Sequence, residues 1–251
     1  MAKAKKPYSD KNKPRARKQG RKPDRKYTKP APVKPPITRL DFKDAKKIAL
    51  KPGVLLAPIP AVLVTVGSAE HEPNPITIAW TGTVCSDPPM VSVSLQKSRY
   101  SHEILTAGGE FVINLIPKRL AEATDYCGVK SGRDENKWEN AELTQQPIAE
   151  LDYTPGIAES PIQLACKVRQ VLELGSHDMF LGEIVTVYVA ENLFDEKGAI
   201  HAERADLVAY RHGQYVGLDD AFGFFGYSVA EPDVLKRRLN TLRKDAKKSR
   251  G

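Results

Sequence analysis

Seven short segments rich in β-branched residues constrain the fold of this chain more than any other feature. Each is bounded by Gly, Pro, Asn or Asp, as strands commonly are. They are Ala61–Val66, Ile76–Trp80, Met90–Leu95, Phe111–Leu115, Ile162–Val168, Leu181–Val189 and Leu207–Tyr210. A parallel sheet needs a crossover helix between successive strands, and there are too few helical segments to supply them. The sequence therefore predicts a mainly β fold, an antiparallel barrel with inserted helices.

Three segments have helical spacing. The first, Ser98–Ala107, begins with hydroxyl residues that we expect to cap it, and ends at Gly108-Gly109. The second covers Arg119–Cys127 and ends at Gly128. The third, Asp233–Lys248, carries leucines at helical spacing on one side and basic residues on the other.

Charge divides the chain into three parts. Residues 1–40 carry a net charge of +13 and almost no aliphatic side chain, which predicts a disordered basic arm. Residues 41–230 form the predicted β domain, and residues 231–251 a basic C-terminal helix and tail. A basic arm either contacts nucleic acid through phosphates or serves only as a solubilising linker.

Several functional classes are excluded at this stage. No apolar run is long enough to span a bilayer and the first thirty residues are basic, so we expect no membrane segment, no secretory signal and a cytoplasmic protein. Three cysteines without CxxC spacing favour reduced thiols, and the five histidines lack metal-ligand spacing, so we expect no metal site. The P-loop, GxGxxG, GxSxG and HExxH motifs do not occur.

One segment suits a phosphate group. Residues 95–101 run from the end of a strand into a helix start and bring Lys97, Ser98, Arg99 and Ser101 together. A helix N-terminus offers free N–H groups and about half a positive charge to an anion. The alternative is an ordinary helix start with solvated Lys and Arg side chains.

An ordered series of motifs resembles the flavin reductase-like, FMN-binding split-barrel family, in particular its flavoredoxin-type branch. The series is PxPAVLVTV, NPITIAWTGTVCSDPPMVSVSLQKSRYSHEIL, FVINLIP, DYCGVKSGRDENKW, CKV and GSHDMFLGEI. It covers about residues 54–218. The resemblance implies an antiparallel split barrel that binds FMN, takes a hydride from NADH or NADPH, and passes electrons to free flavin, a ferric chelate or a protein.

The resemblance also implies site residues. The phosphate stretch corresponds to Lys97, Ser98, Arg99 and Ser101, and the residues that meet the flavin ring to Asn74, Thr77, Ala79, Trp80 and Thr81. The ring's polar edge corresponds to Val84, Cys85 and Ser86. Lys137 corresponds to a cation near the flavin, and His177 to a residue on the nicotinamide side; these two are the catalytic candidates.

Some of these residues have structural alternatives. Trp80 could belong to the core, Cys85 could be a small buried hydrophobe, His177 could cap a turn, and Lys137 could lie solvated on the surface. Ile76 and Ile78 stand where the family often has smaller or polar residues, so side-chain hydrogen bonds are not expected there.

The sequence leaves the electron acceptor and the choice between NADH and NADPH open. The implied assembly is a homodimer with two FMN molecules, in which the aromatic stretch Phe222–Tyr227 either meets a partner or packs back on its own barrel. Two other functions stay open: an FMN-binding electron carrier that nicotinamide does not reduce, and a protein that binds nucleic acid through its basic arms.

Overall fold

The structure, a computed structural model, describes residues 42–248. The predicted basic arm, residues 1–40, lies outside the described residues. The chain divides into two units between Pro52 and Gly53, and all the strands and helices of the described residues belong to the second unit. No helix among residues 42–248 is both long enough and apolar enough to cross a membrane.

Within residues 53–248, the described part of the second unit, twelve strands and four α-helices follow one another. The strands are β1 (Ile59–Pro60), β2 (Val62–Val66), β3 (Asn74–Ile78), β4 (Thr81–Ser86), β5 (Pro89–Gln96), β6 (Glu110–Leu115), β7 (Gln145–Gln146), β8 (Gly156–Ile157), β9 (Ile162–Leu174), β10 (His177–Val189), β11 (Val208–Arg211) and β12 (Gln214–Gly217). The helices are α1 (Tyr100–Gly108), α2 (Ala121–Val129), α3 (Lys137–Asn140) and α4 (Pro232–Lys248). Short 3-10 turns cover Lys118–Leu120, Glu191–Leu193, Ala202–Ala205 and Tyr227–Val229.

The mainly β, antiparallel prediction is confirmed. Seven strands form one sheet in the order β3-β2-β6-β9-β10-β5-β4, and every recorded pairing in it is antiparallel. Strands β1, β11 and β12 form a second sheet, and β7 pairs with β8. The inserted helices predicted after the third and fourth strands are present as α1 and α2, and the C-terminal helix as α4.

Two features of the large sheet show that it curls into a barrel. Its two edge strands, β3 and β4, are joined by only two residues, Ala79 and Trp80. Across seven flat strands the edges would lie about 29 Å apart, whereas a link of this length spans roughly 10 Å at most. The backbone N–H of Ser94 on β5 also donates to the carbonyl of Trp80 (2.9 Å), tying the link to the far side of the sheet.

The apolar core fills the space between the curled sheet and α1. Phe111 of β6, Phe180 of β10 and Leu95 of β5 are fully buried, and Ile104 and Leu105 supply the buried face of α1. This packing fixes the end of β5 and the start of α1, the two elements that enclose the candidate site.

Some predicted boundaries were wrong. The segment Ile76–Trp80 was predicted as one strand, but the strand ends at Ile78, because the next two residues turn the chain from one sheet edge to the other. Thr81–Ser86 was not among the predicted strand segments and is strand β4. Among residues 42–248 its only strand partner is β5, so it is a largely exposed edge without a clear buried alternation.

The helix ends also differ in part from the prediction. The predicted stop of α1 is confirmed, since the helix ends at Gly108 and Gly109 adopts a left-handed conformation with φ of 68°. Gly128 was expected to end the second helix but lies inside α2, which continues to Val129. A side chain in place of Gly128 would begin at 3.2 Å from Cβ of Thr77, so the glycine lets α2 pack closely on β3.

Candidate functional site

A cleft opens where the barrel is split. Pairing of β5 with β4 runs from Pro89 to Val93 and is followed by the hydrogen bond from Ser94 to the carbonyl of Trp80, so the last residues of β5, Leu95 and Gln96, lie beyond this pairing and border a gap opposite β3. A cavity of about 170 Å³ occupies this gap. It is lined by Ile76–Trp80, by Ser94–Gln96, and by Arg99 and His177. We call it the inner cavity.

Aromatic rings stand at one end of the inner cavity. The ring centroids of Trp80 and His177 lie 4.5 Å apart, with the planes tilted by 37°. Trp80 is 43% exposed, so the alternative that it belongs to the core is wrong. Apolar Ile76, Ile78 and Leu95 line the same cavity, which gives this end the character of a site for a flat, weakly polar group.

A second cavity, of about 210 Å³, continues the cleft toward α1. We call it the cationic cavity. It shares Ile76, Gln96 and Arg99 with the inner cavity and adds polar residues of the helix start and of the loop after α2. The added residues are Asn74, Ser98, Tyr100, Ser101, Lys130, Ser131, Gly132 and Lys137. Neither cavity has an Asp or Glu among its lining residues, whereas three cations line the second.

The helix that begins at this cavity lacks a side-chain cap. Residue Arg99 occupies the N-cap position and no side chain accepts from the first backbone N–H groups. The predicted hydroxyl capping was therefore wrong. The hydroxyl of Ser101 instead accepts a hydrogen bond from Nδ2 of buried Asn74 (2.7 Å), which joins α1 to β3. The uncapped N–H groups give this end of the cavity a partial positive charge.

Two cations here form no ion pair with any residue in the range 42–248. Arg99 Nη1 donates to the carbonyl of Gly128 (3.3 Å), and Lys137 Nζ donates to the carbonyls of Pro75 (2.8 Å) and Cys127 (2.9 Å). Lys137 is only 3% exposed, so the alternative of a solvated surface lysine is wrong. Burial, and to a lesser extent the Arg99 cation, lower the pKa of Lys137 to about 8. An anion placed between the two cations would stabilise their charged forms and so raise the pKa of Lys137.

Comparison with known proteins assigns the family. The model of the "Flavin reductase like domain" matches residues 56–219. The chain belongs to the flavin reductase-like family. Flavoredoxin of Desulfovibrio vulgaris (Miyazaki F) has a similar structure, with a TM-score of 0.66 and 29% identity over 71% of this chain and 97% of that one. Flavoredoxin from Methanosarcina acetivorans gives a TM-score of 0.66 at 28% identity, covering 74% of this chain and all of that one.

A further relative is the NADH-dependent FAD reductase of Streptomyces globisporus. It is 27% identical over 157 residues, which is 61% of this chain and 81% of the relative. The split-barrel fold and the resemblance stated from the sequence motifs are thus confirmed. The chain thus belongs to a flavin-binding family, and its cleft lies at the split of the barrel.

Nine of the residues predicted for the flavin site line this cleft. They are Asn74, Thr77, Ala79, Trp80, Ser98, Arg99, Ser101, Lys137 and His177. The two catalytic candidates are separated, because His177 lines the inner cavity and Lys137 the cationic one. His177 also stands at the first position of β10, and its Nδ1 lies 2.9 Å from Oγ of Ser176 in the hairpin turn.

Lys97 is the one member of the predicted phosphate stretch that lies outside both cavities. Its ammonium group contacts Glu173 (2.9 Å) and Asp178 (3.0 Å), and these carboxylates raise its pKa. Burial alone would raise the pKa of Asp178, but hydrogen bonds from His102 and Lys97 outweigh it and lower that pKa. Lys97 therefore ties β5 to the β9–β10 hairpin. No phosphate is needed to balance its charge.

Four predicted residues on the edge strand β4 are also absent from the cavity walls. They are Thr81, Val84, Cys85 and Ser86. Thr81 donates through Oγ1 to the carbonyl of Ser92 (2.7 Å). Cys85 is half-buried, with its sulfur 3.4 Å from the carbonyl of Asp87. Any contact of these residues with a ligand would be at the open edge of the barrel.

Sequence reasoning missed the contribution of the loop after α2. Lys130, Ser131 and Gly132 line the cationic cavity. A Cβ at Gly132 would lie 2.0 Å from Oδ1 of Asn74, so only glycine lets this loop approach β3 so closely. The signal was present, since these residues belong to the DYCGVKSGRDENKW motif, but the motif does not show which of its members face a cavity.

We predict that Lys137 titrates at a lower pH than an ordinary lysine. Side-chain NMR of the full chain should show one ammonium titrating with a pKa of about 8, absent from Lys137→Met. Its charge is present below that pH and lost above it. Because Arg99 lowers this pKa, Arg99→Ala should raise it, and millimolar inorganic phosphate should raise it in the unmodified chain. A signal that stays unchanged in Arg99→Ala would contradict the electrostatic coupling.

Proposed function

We propose that this chain binds FMN in the two-part cleft, accepts a hydride from NADH or NADPH, and passes electrons to a small molecule or protein acceptor. One observation carries the proposal: an aromatic and apolar cavity adjoins, through the shared residues Ile76, Gln96 and Arg99, a cationic cavity with no carboxylate among its lining residues. FMN has a matching order of groups, since its flat ring is joined through a polyol to a phosphate: the ring suits the apolar cavity and the phosphate suits the cationic one. The family supports the same reading.

The residues of the cationic cavity would hold the phosphate. Arg99 and Lys137 supply charge, Ser98 supplies a hydroxyl, and the uncapped N–H groups of α1 supply backbone donors. Asn74 and Ser101 hold β3 and α1 together through their mutual hydrogen bond, and so set the width of the cavity.

The residues of the inner cavity would hold the ring. The backbone borders the gap at Thr77 of β3, at Ala79 of the link after β3 and at Gln96 of β5, where polar edges of a heterocycle would find hydrogen-bond partners. Trp80 and His177 would cover one end and exclude water from it. The chemistry that FMN supplies when bound is acceptance of a hydride and release of electrons.

Arg99 and Lys97 provide a matched pair for testing the phosphate site. Arg99→Ala should weaken FMN binding by about 1.5 to 3 kcal/mol, roughly tenfold to a hundredfold, because it removes a charge-assisted contact. Lys97→Ala should change FMN affinity by less than about threefold, since its charge is neutralised by Glu173 and Asp178. Calorimetric titration of both variants with FMN and with riboflavin, which has no phosphate, decides the question.

If Arg99→Ala weakens the binding of FMN and of riboflavin equally, Arg99 does not contact the phosphate and the phosphate lies elsewhere. A larger loss in Lys97→Ala than in Arg99→Ala would restore Lys97 to the site.

Anaerobic stopped-flow mixing tests the proposed reaction itself. FMN-loaded protein mixed with NADH or NADPH should lose its flavin absorbance bands far faster than free FMN under the same conditions, because the cleft orders donor and acceptor. A protein that retains FMN but is bleached by neither nicotinamide would instead be an electron carrier reduced by a partner. A chain that retains no flavin after reconstitution would contradict the whole proposal.

We also propose that the chain acts as a homodimer. The later part of β9 has β10 as a neighbour on one side but no β6 neighbour on the other, since β6 pairs with β9 only from Gln163 to Lys167. Past that point Val171, Leu172 and Leu174 are exposed, close in sequence to His177. Phe222 and Phe225 are also exposed, so the alternative that the whole aromatic stretch packs on its own barrel is wrong for these two rings. A second copy covering such surface would also close the cleft.

Light scattering on the flavin-loaded chain should report two copies, and Val171→Lys with Leu172→Lys should shift the mass toward one copy by placing charges in the interface. An unmodified chain that is monomeric with one FMN bound would contradict the dimer without affecting the flavin site.

A further inference from the structure

The C-terminal helix α4 carries cations that the proposed flavin site does not use. Its sequence holds seven Lys and Arg residues against two Asp residues. Five of these cations have described side chains, and all five are exposed: Lys236, Arg237, Arg238, Arg243 and Lys244. None of the five forms an ion pair with a side chain that the structure describes. Their charge is therefore available to a ligand.

The cations are spread along the helix instead of meeting at one point. Lys236–Arg238 and Arg243–Lys244 lie almost two turns apart, which is about 10 Å along the axis. The apolar side chains of the helix, such as Leu239 and Leu242, are half-buried, so α4 presents mainly charge to solvent. Residues 41–235, by contrast, hold 28 acidic and 16 basic side chains. A polyanion is thus attracted to α4 and repelled by the rest of the β domain.

An aromatic loop, Phe222–Tyr227, lies against this cationic helix. The guanidinium carbon of Arg238 is 4.3 Å from the ring centroid of Phe224. Phe224 also meets Tyr227 edge-on, with ring centroids 6.3 Å apart. The ring of Phe222 is 86% exposed and that of Phe225 is fully exposed. Exposed rings beside cations are stacking surfaces for planar groups.

The helix and the loop together border a cavity of about 400 Å³. It is lined by Phe224, Arg237, Arg238, Thr241 and Leu242. No carboxylate is among these residues, and none of them lines the inner or the cationic cavity. Two arginines, a threonine and an aromatic ring suit a phosphate that is joined to a flat base.

We propose that α4 and the aromatic loop bind single-stranded nucleic acid. The spaced cations meet successive phosphates and the exposed rings stack on bases, which is how proteins hold single strands. A duplex would leave the rings unused, because its bases are stacked inside it. An anionic membrane fits less well, since it requires an exposed apolar helix face and that of α4 is half-buried. The proposal is independent of the proposed flavin site.

Fluorescence anisotropy of the full chain with labelled oligothymidylate and oligouridylate, each of about twelve nucleotides, tests the proposal. Arg237→Ala with Arg238→Ala should weaken binding by about tenfold or more. It should also reduce the slope of log affinity against log salt by about 1.4, as expected when two phosphate contacts are lost. The matched control, Lys197→Ala with Arg204→Ala, removes the same charge from exposed positions elsewhere and should change affinity by less than about twofold.

Phe222→Ala with Phe225→Ala tests the stacking separately from the charge. Affinity should fall by about fivefold or more while the salt slope stays unchanged, because no cation is removed. Ultraviolet crosslinking of the unmodified chain to oligouridylate, read by mass spectrometry, should attach bases to the aromatic loop. An excess of FMN should not displace the strand, which separates this site from the cleft.

The proposal is overturned if both double variants bind the strand as tightly as the unmodified chain. Crosslinks confined to residues 1–40 would also overturn it, because the basic arm would then account for the binding. Binding to phosphatidylserine vesicles without binding to either oligonucleotide would assign α4 to a membrane instead. If Phe222→Ala with Phe225→Ala turns a dimer into a monomer in light scattering, the rings belong to the interface between copies and the proposal fails.

Discussion

The two-residue connection between β3 and β4 is the constraint on which the site depends. Ala79 and Trp80 join the two edges of one seven-stranded sheet, so the sheet must curl until those edges meet. The curling does not close fully, because the hydrogen bonds on this side of β5 end at Ser94, and Leu95 and Gln96 border a gap opposite β3. The cleft is the place where this closure is incomplete. It is bordered by strand backbone and therefore has a well-fixed shape.

Charge in the site is arranged by the same geometry. The ammonium group of Lys137 donates hydrogen bonds to two carbonyls, those of Pro75 and Cys127. These bonds hold the side chain against β3 and α2 without neutralising its charge. Arg99 is held by a carbonyl in the same way. Replacing either carbonyl contact by a carboxylate would have stabilised the cation and removed the attraction for an anion. The carboxylates of Glu173 and Asp178 instead form ion pairs with Lys97, which lies outside the cleft.

The contrast between Arg99 and Lys97 shows why residue type alone does not assign a role. Both are basic residues of the same short stretch between β5 and α1. The long β9–β10 hairpin brings two carboxylates against Lys97, and α2 brings only the carbonyl of Gly128 to Arg99. The charge of Lys97 is therefore used in structural ion pairs, whereas the charge of Arg99 remains available to a ligand. Sequence spacing does not distinguish them, since their surroundings come from segments about thirty and eighty residues away.

What the sequence determined by itself was the architecture and the end of the first helix. Short β-branched segments and turn residues specify antiparallel strands through local preference, and Gly109 ends α1 because its conformation favours glycine. Only the tertiary structure decided that Thr81–Ser86 is an edge strand, that Ser101 bonds Asn74 instead of capping its helix, and that Lys137 is buried. These outcomes depend on contacts between segments distant in the chain. Local preference carries no information about such contacts, and barrel closure creates them.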